Sequence, residues 1–179
     1  MDRKWLMAID ASLTATALVV LGENFILRRE FKTNAKDWTG DIKGRDERYM
    51  STISQIVSVA KQLCPEYFFI EAYAYNAKGS SVVTLGEFGG VLRHELVYYF
   101  DYWAEVPPTV LKQFATGKGN AGKAAVVSAV TSRYNVLMDS DNAADAFALA
   151  KLGACVSGYE QAQTSFQQKA VETVKKLLS

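Results

Sequence analysis

The sequence of 179 residues has little of the chemistry on which several classes of protein depend. Its two cysteines, Cys64 and Cys155, are too few for a disulfide framework, and we expect both to be buried free thiols in a reducing compartment. With one histidine, His94, a structural zinc site would be short of ligands. His94 falls inside a predicted helix, where we expect a surface or packing role. No nucleophilic Ser or Cys triad can be recognised.

Long apolar runs are also missing. No uncharged stretch approaches the length of a membrane span, and Asp2 and Asp10 interrupt the segment in which a secretory signal needs an apolar core. We therefore expect a cytosolic protein with no membrane partner. A net charge of +1 and a hydrophobic content of 49% are ordinary for a globular chain, and the length predicts one domain over residues 1–179.

Acidic residues are absent from residues 106–138, although that segment contains Lys112, Lys118, Lys123 and Arg133. Glycines accompany two of these lysines in the stretch 117–123 (GKGNAGK). A basic segment inside a near-neutral chain favours contact with a phosphate backbone over a chance gap in acids. The stretch lacks the Gly-Lys-Ser/Thr ending of a P-loop, which favours nucleic acid over a bound nucleotide.

Hydrophobic patterning predicts an α/β fold. The predicted strands lie at 5–9, 14–21, 25–31, 67–70 and 102–106. The predicted helices lie at about 45–63, 81–99, 109–115, 124–134, 143–156 and 160–178, with loops at 34–44 and 72–80. A hairpin start followed by alternating strands and helices implies a mixed sheet with helices on its faces, to which the last helix is appended.

Four acidic residues stand where an unpaired carboxylate would be costly. Asp10 and Glu71 each end an apolar predicted strand, and Asp141 and Asp145 lie four apart at the start of an alanine-rich helix. Asp10 alone could be a turn residue, and Asp141 a helix-start residue favoured by the helix dipole. Together the four predict a two-metal site, because hard divalent cations prefer oxygen ligands and promote attack of water on a phosphodiester.

Two aromatic residues, Tyr73 and Tyr75, follow Glu71 closely. They could pack against the rest of a loop, or they could stack on bases beside the scissile phosphate. The sequence leaves both interpretations open.

Five motifs, in order over roughly residues 5–156, resemble the RuvC-type Holliday-junction resolvases. They are Ile9-Asp10, Ile70-Glu71, 108–113 (PTVLKQ), 117–123 (GKGNAGK) and 143–150 (AADAFALA). The degree of divergence resembles that of a bacteriophage-encoded member, acting in the cytoplasm of a bacterial cell or an infected host. The resemblance implies a ribonuclease H-like fold with a mixed five-stranded sheet flanked by helices. It also implies a homodimer that resolves four-way DNA junctions by paired symmetric nicks.

The resemblance assigns roles residue by residue. It implies that Asp10, Glu71 and Asp145 bind two Mg²⁺ ions, for which Mn²⁺ is expected to substitute. Lys112 and Lys123 match family lysines that serve the active site or the DNA. We expect Lys118 to contact phosphate with them, and Lys123 to help orient the attacking water. The helix at 81–99 matches the dimer helix of the family.

Two departures from the family pattern affect the site. The penultimate acid of the family stands three residues before the last, where this chain has Asn142. The adjacent Asp141 could supply the ligand, which we favour, or Asn142 could bind through its amide oxygen. The first acid is commonly followed by Pro-Gly, and here by Ala11-Ser12. That change alters the turn and removes no ligand.

The family places an aromatic residue near the junction centre, and Tyr73 or Tyr75 matches it best. The expected function is therefore a Mg²⁺-dependent endonuclease specific for four-way junctions. A nuclease of broader specificity for branched or flapped DNA, or for RNA, is the first alternative. A non-catalytic junction-binding protein is the second, which the Asn142 departure keeps open.

Overall fold

Five strands form one sheet in the computed structural model, which describes residues 4–73, 81–100 and 102–178. The strands are β1 (Lys4–Asp10), β2 (Ala15–Gly22), β3 (Phe25–Lys32), β4 (Tyr67–Glu71) and β5 (Tyr102–Val106). Their spatial order is β3-β2-β1-β4-β5, with β1, β2 and β3 antiparallel and β4 and β5 parallel to β1. The prediction of a mixed five-stranded sheet is confirmed.

Within the described ranges, six helices cover the two faces of the sheet. They are α1 (Ile42–Leu63), α2 (Ser81–Val97), α3 (Pro108–Thr116), α4 (Lys123–Tyr134), α5 (Asp141–Val156) and α6 (Ser165–Leu178). Helices α1 and α2 form one core with the sheet, and α3 to α6 form the other. Cover on both faces explains why the central strands are continuous apolar runs. No helix of the described residues is both long and apolar enough to cross a membrane.

The alternation of side chains along β1 and β4 decides where the first two acids lie. In β1, Ala8 belongs to the core on the α5 side, and Ile9 to the core beneath α1 and α2. Asp10 comes next and by the same period falls on the α5 side. In β4, Phe69 belongs to the α5 side, so Glu71 falls there too. The sequence period thus aims both carboxylates at the same helix.

Helix α5 packs against β1, β2 and β4 over the centre of the sheet. Its small residues allow a close approach. A Cβ placed on Gly153 would lie 2.7 Å from Cδ2 of the buried Phe69 ring, so a larger residue cannot be accommodated there without movement. The alanine residues at this contact are fully buried: Ala144, Ala146, Ala148 and Ala150. The alanine-rich stretch is therefore the packing surface that brings the start of α5 to the strand ends.

Helix α1 begins at Ile42, three residues before the predicted start at 45. The reason is Asp41, whose side chain accepts a hydrogen bond from the Gly44 N–H at 2.8 Å and so caps the helix. The predicted loop at 34–44 is also wrong over Ala35–Asp37, which form a short 3-10 helix.

The prediction of a buried thiol is wrong for Cys64, which is exposed, and is confirmed for Cys155. Cys64 ends α1 in the left-handed conformation, with φ of 46°, and its N–H donates to the carbonyl oxygen of Ala60 at 2.9 Å. That turn directs the residue away from the apolar face of the helix. Helix α6 begins at Ser165 rather than near 160.

Candidate functional site

Asp10 and Glu71 meet at one edge of the sheet. They end β1 and β4, which are adjacent and parallel, with Ile9 paired to Ile70. Parallel neighbours carry their carboxyl ends to the same edge, so the two acids are brought together by topology. Asp10 is buried, with 8% of its surface exposed. A hydrogen bond joins the two carboxyl groups.

Helix α5 brings Asp145 and Asn142 to the same place. Its N-cap is Ser140, whose hydroxyl accepts a hydrogen bond from the Ala143 N–H at 3.0 Å and donates one to Glu30 of β3 at 2.7 Å. The cap fixes the first turn of the helix beside the strands. Asn142 and Asp145 are three residues apart, so both can face the same cleft.

The cleft has a volume of about 310 Å³ and brings acidic and basic side chains together. Its polar and charged lining comprises Asp10, Ser12, Glu71, Tyr73, Arg93, Lys112, Lys123, Asn142 and Asp145. Seven of the ten residues predicted for the site lie here: the three acids of the strand ends and α5, Asn142, Tyr73, and the lysines of α3 and α4. Asp141 and Lys118 do not line the cleft, and Tyr75 lies outside the described residues.

Burial raises the pKa of Asp10 well above its ordinary value, and the negative charges of Glu71 and Asp145 raise it further. Burial and the charge of Asp145 raise the pKa of Glu71 to about 7, against a smaller lowering by Asp10, Lys112 and Lys123. The hydrogen bond between the two acids raises the pKa of Asp10 and lowers that of Glu71.

Burial also raises the pKa of Asp145 to about 6, with a further contribution from the charge of Asp141. Three carboxyl groups with raised pKa values show that the fold crowds negative charge into a poorly solvated place.

A divalent cation fits this set of oxygen donors. Hard cations take carboxylate and amide oxygens, and Asn142 offers the latter beside the three acids. Among the described side chains, no three acids, histidines or cysteines already surround one point as a finished metal site. Asp10, Glu71, Asp145 and Asn142 could hold such a cation through these oxygen atoms.

Asp141 and Asn142 point to different partners. The Asp141 carboxylate accepts a hydrogen bond from Lys123 Nζ, which lowers the pKa of Asp141 and raises that of Lys123. Asn142 Nδ2 donates to the carbonyl oxygen of Ala15 at 2.8 Å. That bond engages the amide nitrogen and leaves Oδ1 as the donor atom available to a cation. The geometry therefore separates the two residues that the sequence could not.

The lysines come from the segment without acids. Lys112 lies on α3 and Lys123 begins α4, and both line the cleft that holds the carboxylates. Lys118 is exposed in the turn between the two helices, which Gly117 opens with φ of 83° after ending α3. A left-handed residue at the end of a helix is where glycine is favoured, which accounts for the glycine that precedes this lysine.

The turn after Asp10 is closed by a threonine where the family pattern has Pro-Gly. Thr16 Oγ1 donates to the Ser12 carbonyl oxygen at 2.7 Å and accepts from the Ser12 N–H at 3.3 Å. Thr16 is fully buried, so this pair of bonds is protected from water. The departure at Ala11-Ser12 leaves Asp10 at the cleft.

Two side chains of helix α2 bear on the earlier predictions. His94 is exposed and packs edge-on against Tyr98, at 5.7 Å between ring centroids, in accordance with the surface or packing role expected for it. Arg93 lines the cleft and contacts both Glu71 and Tyr73, and the sequence reasoning missed it. The available signal was a lone cation among the apolar positions of that helix.

Comparison with known proteins identifies the family. The model of the family described as crossover junction endodeoxyribonuclease RuvC matches residues 7–152. The RuvC of Chlamydia muridarum is 29% identical over 122 residues, covering 66% of this chain and 72% of the relative. The RuvC of Chlamydia trachomatis serovar L2 is 31% identical over 121 residues, covering 63% of this chain and 69% of the relative.

Solved structures share the fold. Thermus thermophilus RuvC in complex with a Holliday junction substrate superposes with a TM-score of 0.66 at 20% identity, covering 81% of this chain and 89% of that one. The yeast mitochondrial Holliday junction resolvase Ydc2 gives a TM-score of 0.50 at 12% identity, covering 96% of this chain and 82% of that one. The ribonuclease H-like fold is therefore confirmed. By the span of the family match and the likeness of its relatives, this chain belongs to the RuvC family of crossover junction endodeoxyribonucleases.

Proposed function

We propose that this endonuclease resolves four-way DNA junctions by paired symmetric nicks, using two Mg²⁺ ions in each active site. The observation that carries the proposal is the cleft in which the carboxylates of Asp10, Glu71 and Asp145 share one lining with two lysines. The family depends on a divalent metal, and Mn²⁺ is expected to replace Mg²⁺. The site of action is the cytoplasm of a bacterial cell or of a phage-infected host, where such junctions arise.

We assign the cations to Asp10, Glu71, Asp145 and the amide oxygen of Asn142. The sequence favoured Asp141 as the fourth ligand; the cleft lining and the Lys123 contact support Asn142 instead. When bound, the ions supply activation of water and stabilisation of the leaving oxygen. The protein's own part is to hold the ligands on two strand ends and one helix, which are rigid elements, and to keep much of the cleft out of water.

The lysines would hold the DNA. Lys112 and Lys123 line the same cleft as the acids and would bind the phosphates that flank the scissile bond. Lys118 extends this basic surface through the exposed turn between α3 and α4. Lys123 also lies close enough to the carboxylates to help orient the attacking water. For the two tyrosines after Glu71, base stacking near the junction centre stays a prediction.

We propose that helix α2 forms a homodimer. Its surface carries Gly86 and Gly90, where an added Cβ would meet nothing within 4 Å, so another backbone can approach closely. Val83 and Val97 on the same helix are 68% and 41% exposed. A two-fold contact here would set two active sites on opposed strands of a two-fold junction.

We further propose that the chain is one nuclease domain over residues 1–179, with α6 appended to it. Helix α6 packs against α3 and α5. It buries Ala170, Val171 and Val174 in the same core cluster as the centre of the sheet. An appendage that shares the core is expected to unfold with the rest of the domain.

The test compares cleavage of a synthetic four-way junction, a flap and a linear duplex, with Mg²⁺, with Mn²⁺ and with EDTA. We expect metal-dependent, symmetric and ligatable nicks in the junction, lost in Asp10→Asn and in Glu71→Gln. Asp139→Asn is the matched control, because Asp139 is an exposed acid that does not line this cleft.

Other outcomes would select the alternatives. Equal cutting of flaps or of RNA would indicate the broader nuclease. Junction binding in EDTA with no nicks after Mg²⁺ is added would indicate a non-catalytic binding protein. Cleavage that survives Asp10→Asn would refute the metal assignment.

A further inference from the structure

We propose that Arg93 is a positioning residue that locks the Glu71 end of β4 and the ring of Tyr73 onto helix α2. The proposal rests on the proposed function, because it concerns how the cleavage site is held in place. Arg93 lines the cleft, yet its side chain is only 11% exposed and its hydrogen-bonding groups are directed to the protein.

The guanidinium group of Arg93 bridges three elements. Its Nη2 donates to the carbonyl oxygen of Glu71 at 3.1 Å, and its Nη1 donates to the carbonyl oxygen of Gly89 at 3.1 Å. Its Nε forms a charge-assisted hydrogen bond with the carboxylate of Glu105 on β5. Only arginine offers donors in a rigid planar fork that can satisfy three such acceptors at once. Arg93 therefore fixes α2, β4 and β5 relative to one another.

The face of the same group covers an aromatic ring. The guanidinium carbon of Arg93 lies 4.2 Å from the centroid of the Tyr73 ring, a cation–π contact. The Tyr73 hydroxyl donates to the carbonyl oxygen of Gly86 at 3.3 Å. Gly89 makes room for the ring, since a Cβ there would lie 2.6 Å from Tyr73 Oη. Tyr73 is thus held by α2 from three directions.

These contacts act on the reacting centre through the backbone of Glu71. The residue after Glu71 is also pinned, because the Ala72 N–H donates to the carbonyl oxygen of Val106 at 2.8 Å. A carboxylate at a strand end keeps its position only if the strand end does. Displacement of a catalytic group by about 1 Å can cost about 100-fold in rate. Loss of Arg93 should therefore slow cleavage without weakening the hold on DNA.

Arg93→Lys is the informative variant, because it keeps the charge and a bond to Glu105 but loses the fork and the planar stack. We expect the cleavage rate constant at saturating junction to fall about 10- to 100-fold. The Kd for the junction in EDTA should change less than about threefold, since no phosphate contact is lost. Hydrogen exchange in peptides covering residues 67–73 should accelerate about tenfold or more, because that strand end opens more often.

Two further variants keep the test decisive. If Arg93→Lys does not fold, Glu105→Gln serves instead, because it removes the charge that pairs with the guanidinium group. We expect a smaller loss of cleavage rate, again with little change in the Kd for the junction. Lys151→Gln is the matched control. Lys151 is 15% exposed and bonded to Glu160 away from this cleft, so its loss tests general destabilisation. It should leave the rate and the exchange of residues 67–73 unchanged.

The opposite pattern would overturn the proposal. If Arg93→Lys weakened junction binding and reduced the salt dependence by about one phosphate, with the rate at saturation retained, Arg93 would be a DNA contact. If Arg93→Lys changed neither the cleavage rate nor the hydrogen exchange of residues 67–73, Arg93 would not be a positioning residue. If the wild-type protein did not cut the junction while Arg93→Lys still accelerated exchange, the proposed function would be refuted. The role of Arg93 in holding the end of β4 would still be supported.

Discussion

Glu71→Gln is expected to make the metal-free protein more stable at pH 8 while abolishing cleavage. In the folded protein, burial and the charge of Asp145 raise the pKa of Glu71 from 4.5 to about 7. Between these values the folded state holds a proton that the unfolded state has lost. The free energy of unfolding must therefore fall as pH rises from about 4.5 to 7. Above pH 7 the full destabilisation is present.

The size of the effect follows from the shift. The rise of the Glu71 pKa from 4.5 to about 7 corresponds to about 3 kcal/mol. The charge of Glu71 also raises the pKa of Asp10, so the variant makes Asp10 easier to ionise. We expect the free energy of unfolding to rise by about 2 to 3 kcal/mol. For a chain of this size that is roughly 5 to 10 °C in Tm. Glutamine keeps the volume and can still bond to Asp10, so no cavity offsets the gain.

The assay is thermal unfolding of wild type and variant between pH 5 and 8.5 in EDTA, repeated with Mg²⁺. The Tm of the wild type should fall as pH rises, and the Tm of Glu71→Gln should depend less on pH. Mg²⁺ should raise the wild-type Tm at pH 8, because it binds only the folded state, and should raise that of the variant much less. A wild type that gained stability from pH 5 to 8 in EDTA would refute the charge-crowding argument, as would a variant no more stable at pH 8.

Three other predictions concern the fourth ligand, the dimer and the core. Asn142→Ala should reduce the affinity for Mn²⁺, measured by titration calorimetry, about 10-fold or more. Asp141→Asn should reduce it less than threefold. The reverse order would make Asp141 the fourth ligand. Gly90→Glu should fold normally, because a side chain at this position meets open space in one chain. It should sediment as a monomer, because a two-fold contact would bring two like charges together. An unchanged dimer would show that the interface lies elsewhere. Gly153→Ala should lower the free energy of unfolding by about 1 to 2 kcal/mol, since the added methyl meets the buried Phe69 ring, with cleavage per folded molecule unchanged.

The part of the site that lies on the sheet could be predicted from the sequence. Asp10 and Glu71 each end an apolar run, and parallel strand ends meet whatever the rest of the fold does. The choice between Asp141 and Asn142 could not be predicted, because adjacent helical residues differ by about 100° in direction and the start of the helix was not known. The Ser140 cap and the Lys123 contact support the proposal of Asn142, and both are contacts outside the local pattern.

Long-range contacts also explain what the sequence missed. Arg93 acts through carbonyl oxygens and a ring, and periodicity carries no information about such partners. The sequence predicts a buried Cys64, yet it is the residue at which α1 ends and the chain turns outward. Both errors arise where the local pattern stops and tertiary structure decides.

The bond between Lys123 and Asp141 has a consequence for how DNA enters the cleft. Lys123 is 75% exposed and Asp141 35% exposed on their side chains, so solvent screens the pair. An exposed ion pair of this kind contributes at most about 1 kcal/mol. On the proposed function, a DNA phosphate could take Lys123 from Asp141 at little cost, and the freed carboxylate would add its charge beside Asp145. In this view Asp141 keeps the lysine at the mouth of the cleft until the substrate arrives. Asp141→Asn should then weaken cleavage mainly through the position of Lys123, and Lys123→Gln should make the two residues non-additive in a double-mutant cycle.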